Sequence, residues 1–377
     1  MIATKKYILM AGILCMPATF FAGPLGKKIG RYCKGAAVHL LNHRCANMTT
    51  ISCPASQVRN QRKLFGYDLG IEYYQHAEDR FYRPRARAIL YLHPWGVIAL
   101  PNKKHMHMMK LDNVLPGDVI TFNFPDGVMR GPLPSLYSSF GQLSDVLPAI
   151  YTLNYAYEVY GLHTIDVFGY SRGGAVAVNM VAVLHDKSTQ YDAALAQLGI
   201  TAGRRKELLA AIERGSIVLD CPLIDGNETL KNYAKPVQFI ARTMTNYKSD
   251  GLQALQSARS LSGLKLHVLL HFQYNDTRIG NEHEAALYNA FAQHNPEHTY
   301  LLLADEGGHI HSYEALSRAV QVFYKKIGAA YDQQLLADYE TSLKLERKKG
   351  AICVAMQPSV AQSEQVISSF HRSCEKK

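Results

Sequence analysis

The stretch TIDVFGYSRGG, residues 164–174, decides the fold because it joins a buried strand to a buried helix through one serine. Its first seven residues are mostly apolar, as in a strand that is covered on both faces. The following residues, AVAVNMVAVL, have the composition of a buried helix. Between them, Ser171 stands in a G-x-S-x-G pattern with Gly169 and Gly173. These glycines predict a tight strand-to-helix turn that lifts the Ser171 hydroxyl above the sheet.

Runs of β-type residues alternate with helical patterns on both sides of this stretch. The predicted strands are residues 65–74, 86–93, 118–124, 164–170, 215–221, 264–272 and 299–305, and the predicted helices are residues 135–160, 173–184, 191–214, 282–293 and 312–331. Such alternation predicts the α/β class, with a mostly parallel central sheet that helices flank. Active groups in this class lie at the carboxyl ends of the strands.

The composition is that of a globular protein, with 47% hydrophobic and 19% charged residues. The net charge of +10 comes from short, scattered groups of lysine and arginine, and the sequence carries no motif of a nucleic-acid-binding module. We therefore expect no nucleic-acid partner, and at most a peripheral contact with a membrane surface. The composition leaves the oligomeric state open.

The N-terminus has the order of a secretory signal. Lys5 and Lys6 precede an apolar run over residues 7–22, which is shorter than the roughly 20 residues that a membrane-spanning helix needs. We interpret residues 1–23 as a signal peptide and expect export to the periplasm or the medium. Anchoring by an uncleaved leader and a buried N-terminal segment are the alternatives.

The cysteines fit an exported protein. Without the leader, an even number remains, which suits an oxidising compartment. They are Cys33, Cys45, Cys53, Cys221, Cys353 and Cys374. We expect one or two disulfides near the termini, and their connectivity stays open.

The remaining organisation follows from the predicted elements. Residues 24–63 are loop-rich and basic, and we interpret them as an N-terminal extension. The catalytic domain is predicted to span residues 64–332, with short cap insertions near residues 187–213 and 225–263 that could cover an apolar pocket. Residues 333–377 form a C-terminal helix and tail.

A serine nucleophile needs a base and an acid. The base is predicted to follow a late strand, where EGGHIH places His309 after two glycines, with His311 as its rival. Asp276 lies just past the strand of residues 264–272 and gives the chain order serine, acid, histidine. The other candidate acids are Asp126, Asp305 and Glu306.

An oxyanion hole requires backbone N–H groups that face the carbonyl oxygen of the substrate. Arg172 follows the nucleophile at a helix N-terminus and offers one such group. The segment AILYLHPWG contains the end of an early strand and the loop after it, and this loop offers the other from Trp95.

The motifs HPWG, GYSRGG, YNDTRIGNEHEAA and EGGHIH resemble those of the α/β-hydrolase superfamily over about residues 65–332. The resemblance implies Ser171 as nucleophile, Asp276 as acid and His309 as base. It also implies Trp95 and Arg172 as oxyanion donors, supported by His93 and Gly96. The superfamily has glycine where this chain has Pro94, which lacks an N–H and has a fixed φ.

We interpret the protein as a serine esterase or lipase-like enzyme that acts on acyl esters and needs no cofactor. A serine peptidase or amidase, and a non-catalytic binding protein of the same fold, are the alternatives. The stretch KKHMHMMK, residues 103–110, contains soft metal ligands, but its position favours a helix, and we predict no metal site. The Arg172 side chain is expected to point outward into solvent, although it could reach an anionic substrate group.

Overall fold

The computed structural model describes residues 48–52, 54–76, 87–94, 118–124, 141–224, 235, 252–274, 276, 283–305, 309, 316, 319, 320, 323, 324, 327 and 353–375. The chain divides into two compact units, Met1–Ala46 and Asn47–Lys377, and all described residues lie in the second. The predicted signal peptide, and Cys33, Cys45 and Cys53, lie outside the described residues. The predictions about export and disulfides therefore stay predictions.

A nine-stranded sheet forms the centre of the described part. Its strands are β1 (Met48–Ser52), β2 (Glu72–His76), β3 (Arg87–Leu92), β4 (Val119–Thr121), β5 (Thr164–Tyr170), β6 (Ile217–Asp220), β7 (Val268–Gln273), β8 (Thr299–Ala304) and β9 (Cys353–Met356). They lie in the order β1-β2-β4-β3-β5-β6-β7-β8-β9. Strands β3 to β8 run parallel, whereas the pairs at the two edges are antiparallel. The predicted fold class is confirmed.

Helices cover this sheet. They are α1 (Ala55–Phe65), α2 (Leu143–Tyr160), α3 (Arg172–His185), α4 (Asp192–Gln197), α5 (Ala202–Glu213), α6 (Ala254–Arg259), α7 (Glu284–Ala292) and α8 (Val360–Glu375). Within the described ranges, none of the helices combines the length and the apolarity needed to cross a membrane.

Alternate residues of the central strands are buried on opposite faces of the sheet. Leu90 and Leu92 of β3 belong to the larger apolar cluster, which also contains the buried sides of α2 and α3. Ile89 and Tyr91 belong to the second cluster, which contains Phe323 from a helical segment late in the chain. The central strands are thus buried on both sides, which explains their nearly continuous apolar sequences.

Two predicted elements have different bounds in the structure. The strand predicted over residues 65–74 begins at residue 72, because Phe65 is the last residue of α1. The helix predicted over residues 191–214 is divided into α4 and α5. Gly199 has a φ of 75°, and the Thr201 hydroxyl accepts a hydrogen bond from the Arg204 N–H (3.2 Å), so the first helix ends and a capped second helix begins.

The two terminal segments contribute more than predicted. Residues 24–63 were expected to be loop-rich, but residues 48–52 form β1, which pairs with β2, and residues 55–65 form α1. Residues 333–377 were expected to be a helix and a tail, but β9 pairs with β8 and extends the sheet. The two strands that were not predicted are short edge strands of five and four residues, and periodicity identifies such short runs poorly.

The predicted cap near residues 187–213 is wrong. Helix α5 leads into the amino end of β6, and the Arg214 guanidinium donates to the His163 carbonyl (2.7 Å), just before β5 begins. These strand ends lie opposite the carboxyl ends, where the active groups are expected. The segment is part of the helical layer, with Leu208 and Ile212 buried in the core. Most of the second insertion, residues 225–263, lies outside the described residues, and α6 at its end packs against α3 and α7.

The C-terminal helix is tied to α7 by a buried carboxyl group. Glu284 is 2% exposed, and its carboxylate lies 3.1 Å from His371 Nε2 of α8. Burial raises the pKa of Glu284 from 4.5 to about 7, although the hydrogen bond from His371 acts in the opposite direction. Because the folded state holds this proton more tightly than the unfolded state, the stabilisation is present below pH 4.5 and is lost as the pH rises to about 7.

Between pH 4.5 and about 7, we therefore expect the unfolding free energy of Glu284→Gln to fall less than that of the unmodified protein. The expected difference is roughly 3 kcal/mol. Urea unfolding at a series of pH values measures this slope. Glu158→Gln is the control, since Glu158 is half-exposed and pairs with Arg204 on the surface. A Glu284→Gln protein that keeps the slope of the unmodified protein would contradict the assignment.

Candidate active site

Ser171 occupies the turn between β5 and α3 in a strained backbone conformation, with φ 54° and ψ −116°. Its N–H donates to the Asp220 carbonyl (2.8 Å), and its carbonyl accepts from the N–H groups of Gly174 (2.9 Å) and Leu223 (2.9 Å). Positive φ is costly for a residue with a side chain and persists where the surroundings enforce it. The last residue of β6 therefore binds the Ser171 N–H, and the segment after β6 binds the Ser171 carbonyl.

The glycines around Ser171 allow three chain segments to approach closely. A Cβ atom on Gly173 would lie 1.9 Å from the Leu92 carbonyl oxygen at the end of β3. A Cβ atom on Gly169 would lie 2.5 Å from the Gly173 carbonyl oxygen, and one on Gly174 would lie 2.6 Å from Pro222. Only glycine fits at these positions, as the sequence pattern predicts for a nucleophile turn.

We expect Gly173→Ala to reduce the unfolding free energy by roughly 3 kcal/mol or more, because the added methyl group meets main-chain atoms that cannot rotate away. Urea unfolding measures the loss. Gly203→Ala in α5 is the control: its Cβ would meet only the Thr201 hydroxyl at 3.8 Å. An alanine there is expected to be neutral or to stabilise by about 0.5–1 kcal/mol. Equal stability of the two variants would contradict the close approach.

Ser171, Asp276 and His309 come together at the carboxyl ends of β5, β7 and β8. His309 Nδ1 lies 2.8 Å from Asp276 Oδ2, and His309 Nε2 lies 2.9 Å from Ser171 Oγ. All three side chains are buried, with exposures of 6% to 7%. Among the rival candidates, Asp126, Glu306 and His311 lie outside the described residues, and the carboxylate beside His309 Nδ1 is that of Asp276.

This arrangement gives each imidazole nitrogen one task. With Asp276 ionised, Nδ1–H donates to its carboxylate, which leaves Nε2 with a lone pair directed at the Ser171 hydroxyl. The Ser171 proton can therefore pass to Nε2 while Oγ attacks an electrophile. The geometry is that of a nucleophile, a base and an orienting acid.

His93 follows β3 and holds the start of the predicted oxyanion loop. Its Nδ1–H donates to the Pro94 carbonyl (3.0 Å), and its Nε2 accepts from the Phe124 N–H (3.4 Å). Burial and, to a smaller extent, the nearby positive charge of Arg172 together lower the pKa of His93 to about 3. His93 is therefore neutral at physiological pH, as these two hydrogen bonds require. Trp95 and Gly96 lie outside the described residues, so their predicted roles are not tested.

The Arg172 side chain does not point into solvent, contrary to our expectation. It is 1% exposed, and its guanidinium carbon lies 4.3 Å from the centre of the Phe124 ring. A cation over an aromatic face is attracted to the ring electrons, and the planar guanidinium stacks well there. The sequence shows that Arg172 directly follows Ser171, but it does not show this aromatic partner, which lies beyond the end of β4.

A buried polar network that includes Asp220 was not predicted. His271 Nδ1–H donates to Asp220 (2.7 Å), and the Gln273 amide donates to His271 Nε2 (3.1 Å). Cys221 lies beside this pair, and its ligand atom is close enough to those of Asp220 and His271 for a metal site. Burial raises the pKa of the Cys221 thiol, and Asp220 raises it further. One nitrogen of His271 is engaged by Asp220 and the other by Gln273, so these residues form a hydrogen-bonded network as they stand.

Comparisons with known proteins concern the fold. No protein-family model and no curated protein matches the sequence. Among solved structures, esterase B from Lactobacillus rhamnosis has a TM-score of 0.50 at 13% identity, over 95% of this chain and 97% of its own. The esterase Pf2001 from Pyrococcus furiosus has a TM-score of 0.44 at 15% identity, over 74% and 92%. The acylaminoacyl peptidase from Pyrococcus horikoshii has a TM-score of 0.49 at 12% identity, over 77% of this chain and 43% of its own.

The protein therefore has the α/β-hydrolase fold that its motifs resemble. Its structural neighbours are esterases and a peptidase. At these identities, the likeness to esterase B shows the fold and leaves the substrate to be argued from the site.

Proposed function

We propose that the protein is a serine hydrolase that cleaves carboxylic esters through an acyl-enzyme on Ser171. The observation that carries this proposal is the hydrogen-bonded chain from Asp276 through His309 to Ser171. This chain is buried at the carboxyl edge of the sheet, and a strained turn presents the serine. A merely structural serine in a small-residue turn needs neither the base nor the acid.

In the first half of the reaction, Ser171 Oγ attacks the acyl carbonyl carbon and its proton passes to His309 Nε2. The carbonyl π electrons move to the oxygen and form an oxyanion. As the tetrahedral intermediate collapses, the bond to the alcohol oxygen breaks, and His309 Nε2–H protonates the departing alcohol. In the second half, a water molecule gives a proton to Nε2 as its oxygen attacks the acyl carbon. The bond from that carbon to Ser171 Oγ then breaks, Nε2–H returns the proton to Oγ, and the carboxylic acid is released.

The oxyanion is proposed to accept hydrogen bonds from the backbone N–H groups of Arg172 and Trp95. The Arg172 N–H lies in the first turn of α3, where the helix dipole favours negative charge. His93 donates to the Pro94 carbonyl (3.0 Å) and is proposed to hold the start of this loop. The steps above use no metal and no cofactor.

Esters are the proposed substrates because an alcohol leaves more readily than an amine, so ester cleavage makes the smaller demand on the acid His309. The fold is also that of esterase B. We further propose that the protein is exported, on the basis of the charged and apolar order of residues 1–23.

A panel of p-nitrophenyl esters with increasing acyl length, assayed beside an aminoacyl p-nitroanilide, tests the reaction class. We expect ester hydrolysis that depends on Ser171 and exceeds anilide hydrolysis at every acyl length. Faster cleavage of the anilide would indicate a peptidase. Absence of Ser171-dependent cleavage of both substrates would indicate a binding protein, and either result would overturn the proposed function.

A further inference from the structure

Tyr170 contacts the proposed base although it precedes the proposed nucleophile in sequence. The Tyr170 hydroxyl donates to the main-chain carbonyl of His309. Its ring also stacks on the His309 imidazole, with centroids 5.3 Å apart and an interplanar angle of 27°. Tyr170 is 2% exposed, so both contacts are shielded from water.

Two further contacts of His309 with described residues involve only its ring nitrogens. Asp276 and Ser171 engage Nδ1 and Nε2, and neither contact fixes the main chain of residue 309. In the sequence, Gly307 and Gly308 precede His309, and glycine restricts its own backbone least. A bond to the His309 carbonyl supplies the main-chain restraint that this local sequence does not.

We propose that Tyr170 is a positioning residue that fixes the general base to the strand bearing the nucleophile. This inference rests on the proposed function. Tyr170 and Ser171 are neighbours at the end of β5, so one rigid segment sets the positions of both the hydroxyl and the imidazole. The distance between Ser171 Oγ and His309 Nε2 then depends little on the loop after β8.

The Tyr170 hydroxyl is a donor throughout the usable pH range. Burial raises the pKa of Tyr170 well above 10, and the nearby groups raise it further. These groups are Asp220, Cys221, Tyr91 and Asp276. The phenol therefore keeps its proton when the histidine is in its active, neutral form.

Tyr170→Phe tests the hydrogen bond because it keeps the stacked ring. We expect kcat to fall about tenfold, since a net hydrogen bond of this kind is worth about one factor of ten and small misplacements of a base slow the reaction. KM is expected to stay within about twofold, because Tyr170 is not proposed to touch the substrate. The control is Tyr288→Phe: Tyr288 is also buried, and its hydroxyl also donates to a main-chain carbonyl, that of Pro358 (2.7 Å).

Two further measurements separate positioning from general stability. Thermal unfolding is expected to show similar losses in the two phenylalanine variants, with the fall in kcat confined to Tyr170→Phe. The downfield proton signal of His309 Nδ1–H is expected to broaden or shift in Tyr170→Phe and to stay unchanged in Tyr288→Phe. Tyr170→Leu removes the ring as well, and we expect its kcat to fall about 100-fold.

The outcomes are distinguishable from a failure of the proposed function. If kcat of Tyr170→Phe stays within twofold of the unmodified protein and the His309 signal is unchanged, the positioning role is wrong while the hydrolase assignment stands. The NMR signal does not require turnover. If no Ser171-dependent hydrolysis exists but the signal still responds to Tyr170→Phe, the proposed function is wrong while the positioning of His309 stands.

Discussion

Replacing Ser171 with alanine is expected to reduce kcat for ester hydrolysis by at least about 10⁵-fold. The alanine removes the oxygen that forms the covalent intermediate, and no other described hydroxyl lies at hydrogen-bonding distance from His309 Nε2. The fold should survive, because the strained backbone at residue 171 is held by main-chain bonds to Asp220, Gly174 and Leu223. Initial rates with a p-nitrophenyl ester, together with a circular dichroism spectrum, measure both effects.

Ser257→Ala is the matched control for this experiment. Ser257 is 6% exposed, as Ser171 is, but it lies in α6 and away from the carboxyl edge of the sheet. Its activity is expected to equal that of the unmodified protein. A Ser171→Ala protein that keeps a tenth or more of the original rate would show that another group performs the attack.

Replacing Asp276 with asparagine is expected to reduce kcat by about 10⁴-fold, with little change in KM. The amide fills the same space, but its NH₂ group can donate to Nδ1, which favours the tautomer whose Nε2 carries a proton. That tautomer cannot accept the Ser171 proton. The amide also cannot balance the positive charge that forms on the imidazole during the reaction.

The kcat of Asp276→Asn is compared with that of the control variant Asp192→Asn over a range of pH. Asp192 pairs with Arg205 on the surface, so its loss should leave the rate unchanged. If Asp276→Asn retains kcat within tenfold of the unmodified protein, another carboxylate orients His309. Asp305, a candidate acid that lies among the described residues, would then be the next to replace.

The central part of the fold could be predicted because its strands are buried on both faces. The strand predicted over residues 164–170 has the bounds of β5, and the strands around it are displaced by only a few residues. Edge strands could not be predicted in the same way. Each has one neighbour in the sheet and is short. β1 (MTTIS) carries little apolar pattern, and the four apolar residues of β9 (CVAM) are too few to tell a strand from a helix.

The positions of the proposed site residues could be predicted because each follows a strand. Parallel strands end at the same edge, so Asp276 and His309 were placed near Ser171 without knowledge of any contact. The same topological rule shows why the cap predicted near residues 187–213 is wrong. A segment between a helix and the next parallel strand lies at the opposite edge of the sheet.

Contacts between side chains of distant segments could not be read from the sequence. The stacking of Arg172 on Phe124 joins two strand ends, and the bond from Tyr170 to His309 joins residues on β5 and beyond β8. The pairing of Asp220 with His271 is similar, since each residue by itself looks like a polar end of an apolar strand. These partners depend on strand order and register, which local patterns do not specify.

The most direct test of the proposed nucleophile is covalent labelling with a fluorophosphonate, followed by mass spectrometry of the digested protein. A phosphonyl adduct is predicted on the peptide that contains Ser171, and fragmentation should place it on that residue. The adduct should be lost in a folded His309→Ala protein, because the hydroxyl then has no base. An adduct on a different residue, or no adduct on folded protein that hydrolyses esters, would contradict the assignment of Ser171.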